Sequence, residues 1–121
     1  PRISSDLVDL LEGVAQGNLD TRSYTVSPQT AVTVMLVAGG YPGDYTSGKV
    51  IANIENVKES IVFHAGTKLV DGEVQTAGGR VLAVTTMQDT LFDALQQSTA
   101  DAGRIFFEGK YFRRDIGFDL I

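Results

Sequence analysis

The glycines of this chain stand beside short β-branched runs and are not spread as they are in a flexible linker. The chain has 13 Gly among 121 residues, which is about 11% against a usual value of about 7%. Seven of them lie at Gly39-Gly40, Gly43, Gly66, Gly72 and Gly78-Gly79. Glycine adopts backbone conformations, and permits close approaches, that other residues do not. The pattern predicts short strands whose connections turn sharply or approach a ligand closely.

Length and composition indicate one globular domain. A chain of 121 residues is of single-domain size, and its 43% hydrophobic and 21% charged residues exclude an intrinsically disordered chain. No apolar run approaches the roughly 18 residues of a membrane helix, and a net charge of −5 argues against a nucleic-acid partner. With Cys 0 there is no disulfide and no thiolate chemistry, which fits a reducing, cytoplasmic location. Because the chain starts at Pro1 without Met or a signal-peptide pattern, we expect a piece of a longer protein.

Two segments have the apolar spacing of amphipathic helices. The first is predicted over residues 5–17, with Ser4 or Ser5 as N-cap and Gly17-Asn18 as the stop. The second is predicted to begin at Asp89 or Thr90 and to close at Gly103. The apolar stripe of the first helix is Leu7, Leu10, Leu11 and Val14, and the inner face of the second is Leu91, Ala94, Leu95, Ser98 and Ala102.

The residues between the helices predict strands joined by hairpins. Residues 31–38 (AVTVMLVA) are apolar almost throughout and predict a strand buried on both faces. Asp71-Gly72 has the sequence of a type I′ turn and predicts a hairpin of residues 68–70 and 73–76. Tyr41-Pro42-Gly43-Asp44 has the residues of a type II turn. Further strands are predicted at residues 49–54 (on a sheet edge), 61–65, 80–86 and 105–107, and residues 18–29 read as a connector.

Hairpin signals outnumber helical crossovers, which indicates an antiparallel sheet. The predicted fold class is α+β, a small and mainly antiparallel sheet similar to a barrel-sandwich hybrid. One helix precedes this sheet and one follows later in the chain.

Several familiar catalytic patterns are missing from the sequence. It has no phosphate-loop Gly-Lys-Ser/Thr, no G-x-G-x-x-G and no G-x-S-x-G turn. A single histidine, His64, excludes a histidine-based metal cage within the chain. No catalytic residue and no metal ligand is therefore assigned.

Four places offer polar chemistry, and each has a structural and a functional interpretation. His64 is either a strand histidine bonded to a neighbouring carbonyl or carboxylate, which is the more common case, or a ligand-facing group at a strand end. The loop from Gly39 to Tyr45 is either a tight turn or an anion cradle of free amides, with Asp44 as a polar contact. Gly78-Gly79-Arg80 is either a bulge or a phosphate grip. Arg113-Arg114-Asp115 is more often a solvated ion cluster than a phosphate contact.

Four stretches resemble, in order and spacing, the C-terminal part of the phosphoribosylamine–glycine ligases, which are also called glycinamide ribonucleotide synthetases. They are AVTVMLVAGGYPGDYTSGKVI, VFHAGTK, TAGGRVLAVT and FEGKYFRRDIG. The opening PRISSDLVDLL is similar to the helix that closes the ATP-grasp region of that family. Ser4 stands where the family usually has a basic residue. The resemblance runs from Arg2 to Gly117.

The resemblance implies an ATP-dependent ligase of purine biosynthesis that joins glycine to 5-phosphoribosylamine through a glycyl phosphate. ATP and Mg²⁺ (or Mn²⁺) would be bound mainly by parts of the polypeptide outside this chain. Residues 1–20 would be the closing helix of the ATP-grasp region, and residues 21–121 a C-terminal domain that walls the active site and is inactive alone. Its partners would be phosphoribosylamine, glycine, ATP and the rest of the same polypeptide. The substrate-binding candidates that follow are Gly39, Gly40, Asp44, His64, Gly66, Thr67, Gly79 and Arg80.

Other interpretations compete with the ligase. A carrier module would hold biotin or lipoyl on a lysine at a hairpin tip, but here the tip is Asp71-Gly72 and Lys68 lies off the apex. A free-standing binding module, or a domain with a purely architectural role, is compatible with the same sequence.

Overall fold

A computed structural model describes residues 1–120 of the chain. It has two α-helices and five strands, together with short 3₁₀ turns at Leu19–Thr21, Ile54–Asn56 and Phe118–Leu120. The helices are α1 (Leu7–Gln16) and α2 (Leu91–Arg104). The strands are β1 (Thr30–Val37), β2 (Ile61–His64), β3 (Thr67–Val70), β4 (Glu73–Thr76) and β5 (Arg80–Gln88). All strand pairs are antiparallel, so the α+β class is confirmed.

The three-stranded sheet has the order β1-β5-β2, with β5 in the centre. Its inner face packs on α2 and on the segment that follows that helix. The buried hydrophobic residues of the two adjoining clusters are Val32, Val34, Leu36, Ala38, Ile51, Val81, Leu82, Val84, Ala94, Leu95, Ala102, Ile105, Phe107 and Phe112. Within the predicted inner face of α2, Leu91 is only half-buried, and the others are buried as expected.

The outer face of this sheet is open in the described part of the chain. Phe63 pairs with Ala83, and Ala83 with Met35; these residues are half-buried or exposed. Thr33 is exposed, and its hydroxyl lies 2.9 Å from that of Thr85. The prediction that residues 31–38 are buried on both faces is therefore wrong, because α2 covers one face and residues 1–120 supply no second layer.

The second sheet is the hairpin β3-β4. Asp71 and Gly72 have φ values of 50° and 83°, and two successive positive φ values are the mark of a type I′ turn. The predicted hairpin is confirmed. A two-residue turn of this kind matches the twist of the strands it joins.

The loop after β1 differs from the prediction of a type II turn at residues 41–44. That turn needs a positive φ at Gly43, but Gly40 is the residue with a positive φ, at 93°. The Tyr41-Pro42 peptide is cis. Only glycine fits at residue 40, because the carbonyl of Asp44 occupies the space that a side chain would need.

Two predicted strands are extended segments held by isolated bridges. Val50 bridges to Gln75 on β4, and Ala52 bridges to Phe106 on the other side. Residues 49–54 are thus no edge strand: the segment has neighbours on both sides and ends at the 3₁₀ turn that begins at Ile54. Residues 105–107 likewise contribute one bridge at Phe106. Residues 49–54 therefore connect the β3-β4 hairpin to the region after α2.

The helix ends are set by caps that differ in part from those expected. Asp6, not Ser4 or Ser5, caps α1, and its carboxylate accepts from the N–H of Val8 at 2.9 Å. Gly17 ends α1 with a φ of 70°, as predicted. Thr90 caps α2, also as predicted. Gly103 does not close α2: the helix continues one residue further, to Arg104, and the Lys110 ammonium donates to the carbonyls of Ala102 and Gly103 near its end.

Neither helix described in residues 1–120 has the length and apolar character needed to span a membrane.

Candidate functional site

Three glycine segments meet at one end of the three-stranded sheet. Because β5 runs antiparallel to both neighbours, the end of β1, the start of β5 and the end of β2 lie at the same end of the sheet. Gly39-Gly40 follow β1, Gly66 follows β2, and Gly78-Gly79 precede β5. The sheet topology brings together the loops that the sequence had marked separately, and we call them the glycine cluster.

Gly66 contacts the backbone that leads into β5. Its N–H donates to the carbonyl of Arg80 at 2.8 Å, and its own carbonyl accepts from the N–H groups of Ala77 and Gly78 at 2.8 and 3.2 Å. A Cβ at residue 66 would lie 2.6 Å from the Arg80 oxygen and 2.7 Å from the Gly78 Cα. Backbone atoms cannot move aside as a flexible side chain can. Close backbone packing therefore explains why residue 66 is glycine, without reference to a ligand.

The loop after β1 is held by two further backbone approaches. A Cβ at Gly39 would lie 2.8 Å from the carbonyl oxygen of Gly109, in the loop after Phe107. At Gly40 the carbonyl of Asp44 occupies the place of a side chain. Asp44 thus joins the loop through its backbone, while its carboxylate is exposed to solvent.

The glycine cluster presents free hydrogen-bond donors. Within residues 1–120, the N–H groups of Gly39 and Gly40 donate to no protein acceptor, and both residues are exposed. Arg80 is exposed, and no carboxylate of the described residues pairs with its guanidinium. Backbone amides and a free guanidinium form the donor set that binds phosphate or carboxylate oxygens.

His64 and Thr67 lie beside the glycine cluster, and His64 also lines a separate cleft. The Nδ1 atom of His64 is 3.0 Å from the Thr67 hydroxyl, so the ring bonds a hydroxyl and not the carbonyl or carboxylate expected of a core histidine. His64 is exposed at the end of β2 and lines a cleft of about 450 Å³ together with Glu55 and Glu73. The predicted substrate-binding residues therefore divide between a backbone cluster and this neighbouring cleft.

The basic segment near the end of the chain forms a local ion cluster. Arg113 donates from Nε and Nη2 to the two carboxylate oxygens of Asp115, at 3.0 and 2.9 Å. This hydrogen-bonded pairing lowers the pKa of Asp115 below its usual value. Arg114 lies over the Phe112 ring, 5.3 Å from its centroid. The solvated-cluster interpretation of residues 113–115 agrees with these contacts.

Sequence reasoning missed three structural partners. The ring of Tyr41 lies against Gly79, and Gly109 supports Gly39. Asp101 is fully buried on α2, where it accepts from the Ser60 hydroxyl at 2.6 Å and pairs with Arg104. Residue 101 lies three positions after Ser98, so the helical spacing of the inner face already includes it, which was the one available signal.

The described residues offer no cage for a metal ion. Across residues 1–120, no three His, Asp or Glu side chains are grouped as metal ligands.

A family model and individual known proteins that match this chain all point to the same enzyme family. The family model described as "Phosphoribosylglycinamide synthetase, C domain" matches residues 31–119. A protein of Pasteurella multocida named phosphoribosylamine–glycine ligase is 42% identical over 121 residues, which covers 99% of this chain and 28% of the relative. The human trifunctional purine biosynthetic protein adenosine-3 is 40% identical, covering all of this chain and 12% of that protein.

A solved structure supports the same relationship. The crystal structure of phosphoribosylamine–glycine ligase from Thermotoga maritima superposes with a TM-score of 0.70 at 32% identity. The match covers 89% of this chain and 26% of that one. The chain thus spans about a quarter of the length of its single-function relatives.

Proposed function

The chain belongs to the phosphoribosylglycinamide synthetase C-domain family, and on that premise we propose that it is the C-terminal part of an ATP-dependent ligase. The proposed reaction joins glycine to 5-phosphoribosylamine and gives glycinamide ribonucleotide, ADP and phosphate. This is a step of purine biosynthesis, and we assign the enzyme to the cytoplasm. Since the chain spans 28% of a relative that carries the ligase name, we expect no ligase activity from these 121 residues alone.

The free donors of the glycine cluster carry the substrate-binding part of the proposal. Phosphoribosylamine has a phosphate group, whose oxygens accept several hydrogen bonds at once. The Gly39 and Gly40 amides supply donors that need no side-chain ordering, and the Arg80 guanidinium can bind two oxygens in parallel. We assign the ribose phosphate to these three groups. Asp44 is a weaker candidate, for a polar contact with the sugar or the amine.

His64 and Thr67 form the second part of the proposed site. The Thr67 hydroxyl holds Nδ1, which leaves Nε2 to meet a ligand in the neighbouring cleft. Gly66 and Gly79 contribute by letting the backbone segments approach closely. In this proposal the chain binds and orients the amine substrate, and its loops keep water away from a labile amine and a reactive acyl phosphate.

The rest of the ligase would supply ATP binding and Mg²⁺. When bound, ATP would supply the phosphoryl group that activates the glycine carboxylate, and Mg²⁺ would offset the charge of the phosphates. This chain would contribute a wall of that active site and no metal ligand. We propose residues 21–121 as this wall domain and residues 1–20 as the closing helix of the ATP-grasp region.

Uncovered apolar surface supports this division of the polypeptide. On α1, Leu7, Leu11 and Val14 are 55%, 58% and 61% exposed. On the open sheet face, Ile61 and Phe63 are 49% and 43% exposed. Apolar patches of this kind mark contact surfaces, and relatives that are more than three times longer than this chain have polypeptide to cover them. We propose that the remainder of the full-length polypeptide, outside these 121 residues, covers both surfaces.

Replacement of Arg80 tests the proposal in the full-length enzyme. We expect Arg80→Ala to raise the KM for phosphoribosylamine about tenfold or more, because a charge-assisted contact with phosphate is lost. The KM for ATP and the melting temperature should stay near the wild-type values, since Arg80 is exposed and unpaired among the described residues. Initial rates at varied amine and varied ATP separate the two constants.

Arg114→Ala is the matched comparison, because Arg114 is also exposed and has no carboxylate partner among the described residues. A KM for phosphoribosylamine that changes in Arg114→Ala but not in Arg80→Ala moves the phosphate contact to the end of the chain. If neither variant changes any KM, the domain is architectural and the proposed phosphate site is rejected.

A further inference from the structure

The aromatic ring of Tyr41 occupies the place that a side chain at Gly79 would fill. A Cβ built on Gly79 would lie 2.6 Å from Cε2 of Tyr41 and 3.0 Å from its Cγ, and the three atoms nearest to it all belong to this ring. Gly79 is buried. The missing side chain at residue 79 is therefore what allows the ring to lie against the backbone just before Arg80.

The backbone on both sides of this contact is tied together. The N–H of Ala38 donates to the carbonyl of Gly79 at 2.8 Å, and the N–H of Tyr41 donates to the carbonyl of Ala38 at 3.1 Å. Tyr41 thus sits on the loop that carries the free amides of Gly39 and Gly40, and its ring presses on the segment from which Arg80 projects. One side chain spans the two halves of the proposed phosphate site.

Tyr45 packs edge-on against the Tyr41 ring. The two ring centroids are 6.1 Å apart, with an interplanar angle of 63°, which is the edge-on arrangement that aromatic pairs prefer. Beyond it, Tyr41 remains 38% exposed and lines a small cavity of about 240 Å³ together with Met35 and Tyr111. One edge of the Tyr41 ring therefore packs against Tyr45, and another side of the ring is accessible to solvent; we call this ring the wedge.

We propose that Tyr41 is a positioning residue, whose ring, seated on Gly79, fixes the Gly39-Gly40 amides and the Arg80 guanidinium at one mutual spacing. The inference rests on the proposed function, because it specifies how the phosphate site is held. A phosphate bound by donors from two segments needs those segments at a fixed distance, and a misplacement of about 1 Å can cost up to about a hundredfold in rate. The role belongs to the ring and its seat, and not to the phenol hydroxyl.

The test uses the full-length enzyme and approaches the contact from both sides. Tyr41→Ala removes the wedge, and Gly79→Ala fills the seat. We expect each to raise the KM for phosphoribosylamine about tenfold, with the KM for ATP unchanged, because both displace the loop from the start of β5. Tyr41→Phe keeps the ring and should stay within about twofold of wild type. Gly103→Ala is the matched glycine control, because nothing lies within 4 Å of a Cβ at that position.

The double variant Tyr41→Ala/Gly79→Ala separates positioning from general damage to the fold. With the ring gone, the added methyl group has space, so Gly79→Ala should add no further rise in KM to that of Tyr41→Ala. Two independent folding defects would instead add, in the melting temperature as well as in KM. A fully additive double variant therefore overturns the wedge, and so does a Tyr41→Phe variant that is as impaired as Tyr41→Ala.

Arg80→Ala distinguishes failure of the inference from failure of the proposed function. If Tyr41 acts through Arg80, Tyr41→Ala should change the KM for phosphoribosylamine much less in the Arg80→Ala background than in wild type. An effect of Arg80→Ala without any effect of Tyr41→Ala leaves the phosphate site in place and rejects the positioning role. If Arg80→Ala itself has no effect, the phosphate site and the role of Tyr41 are both rejected.

Discussion

The two helices of this chain have the same local design and opposite surroundings. Each begins with a side-chain cap, Asp6 on α1 and Thr90 on α2, and each has a continuous apolar face. The face of α2 packs on the three-stranded sheet, and Ala94 and Leu95 are buried there. On α1, Leu11 and Val14 are more than half exposed, and the buried residue is Gly13, against the turn at Leu19–Thr21.

The difference shows what an apolar periodicity does and does not contain. Spacing at three and four residues predicts a helix and one apolar face, and it did so for both segments. It carries no information on where the partner of that face lies. For α2 the partner is in the same chain, whereas for α1 it is not among the described residues, and we have assigned it to the rest of the ligase.

The largest expected effect comes from the same truncation made on both helices. Leu95→Ala should lower the free energy of unfolding of the 121-residue chain by about 3 kcal/mol, because it removes a buried side chain and leaves a cavity. Leu11→Ala should change it by less than about 0.5 kcal/mol, since Leu11 is 58% exposed. Urea denaturation of the wild type and both variants measures the difference.

Leu11→Ala in the full-length enzyme tests whether the rest of the polypeptide covers the apolar face of α1. If the rest of the polypeptide covers α1, the cost should rise toward that of a buried leucine, about 2 kcal/mol or more. An equally small cost in both forms would show that the face of α1 stays open in the whole protein.

A carboxylate on each helix gives the next effect. Asp101 of α2 has a fully buried side chain, and it accepts from Ser60 and pairs with Arg104. Asp9 of α1 pairs with Arg22, and its side chain is 47% exposed. Asp101→Ala should cost about 2 kcal/mol, because the half-buried Ser60 hydroxyl and the Arg104 guanidinium lose a fully buried acceptor. Asp9→Ala should cost less than about 1 kcal/mol, as exposed ion pairs do.

Thermal and urea unfolding of the two Asp variants, measured under one set of conditions, check this ranking. Asp101→Asn keeps an acceptor for the Ser60 hydroxyl and should recover part of the loss. Equal costs for Asp101→Ala and Asp9→Ala would show that burial of the α2 carboxylate does not make it the more important of the two.

Most of the fold could be predicted from the sequence because it depends on local signals. The Asp71-Gly72 turn, the Thr90 cap and the Gly17 stop each depend on residues within a few positions, and all three are confirmed. Two errors are local, since Asp6 and not Ser4 or Ser5 caps α1 and the chain turns at Gly40 and not at Gly43, and the others concern contacts between residues distant in sequence. Residues 31–38 were expected to be covered on both faces, but one face is open. Gly103 was expected to end α2, but the helix continues to Arg104, and Lys110 from outside the helix donates to the carbonyls of Ala102 and Gly103.

The candidate site was predictable as a set of loops but not as a set of contacts. The glycines at residues 39, 66 and 79 were singled out from sequence, and the antiparallel order of β1, β5 and β2 explains why they meet. Their neighbours were not foreseen, because Gly109 and Tyr41 reach them through space. The Tyr41 ring lies where a side chain at Gly79 would be. The spacing of residues along the sequence cannot predict such a packing contact.

The smallest expected effect concerns how the two helices end. α1 ends locally, with the N–H of Gly17 bonded to carbonyls of its own last turn. α2 ends through a distant residue, since the Lys110 ammonium donates to the carbonyls of Ala102 and Gly103, at 2.9 and 3.3 Å, and to that of Ile105. Lys110→Met should therefore lower the free energy of unfolding by about 1 kcal/mol or less.

The pH dependence of this last effect has a definite sign. Burial, and then the nearby charge of Arg114, lower the pKa of Lys110 below its usual 10.5. Between the lowered folded value and 10.5, the unfolded chain binds more protons than the folded one, so the stability of the wild type rises with pH relative to Lys110→Met. Urea titrations of both proteins, from neutral pH up to 10.5, measure this difference. A wild-type advantage that shrinks over that range would mean that the ammonium hydrogen bonds at the end of α2 outweigh the cost of burying the charge.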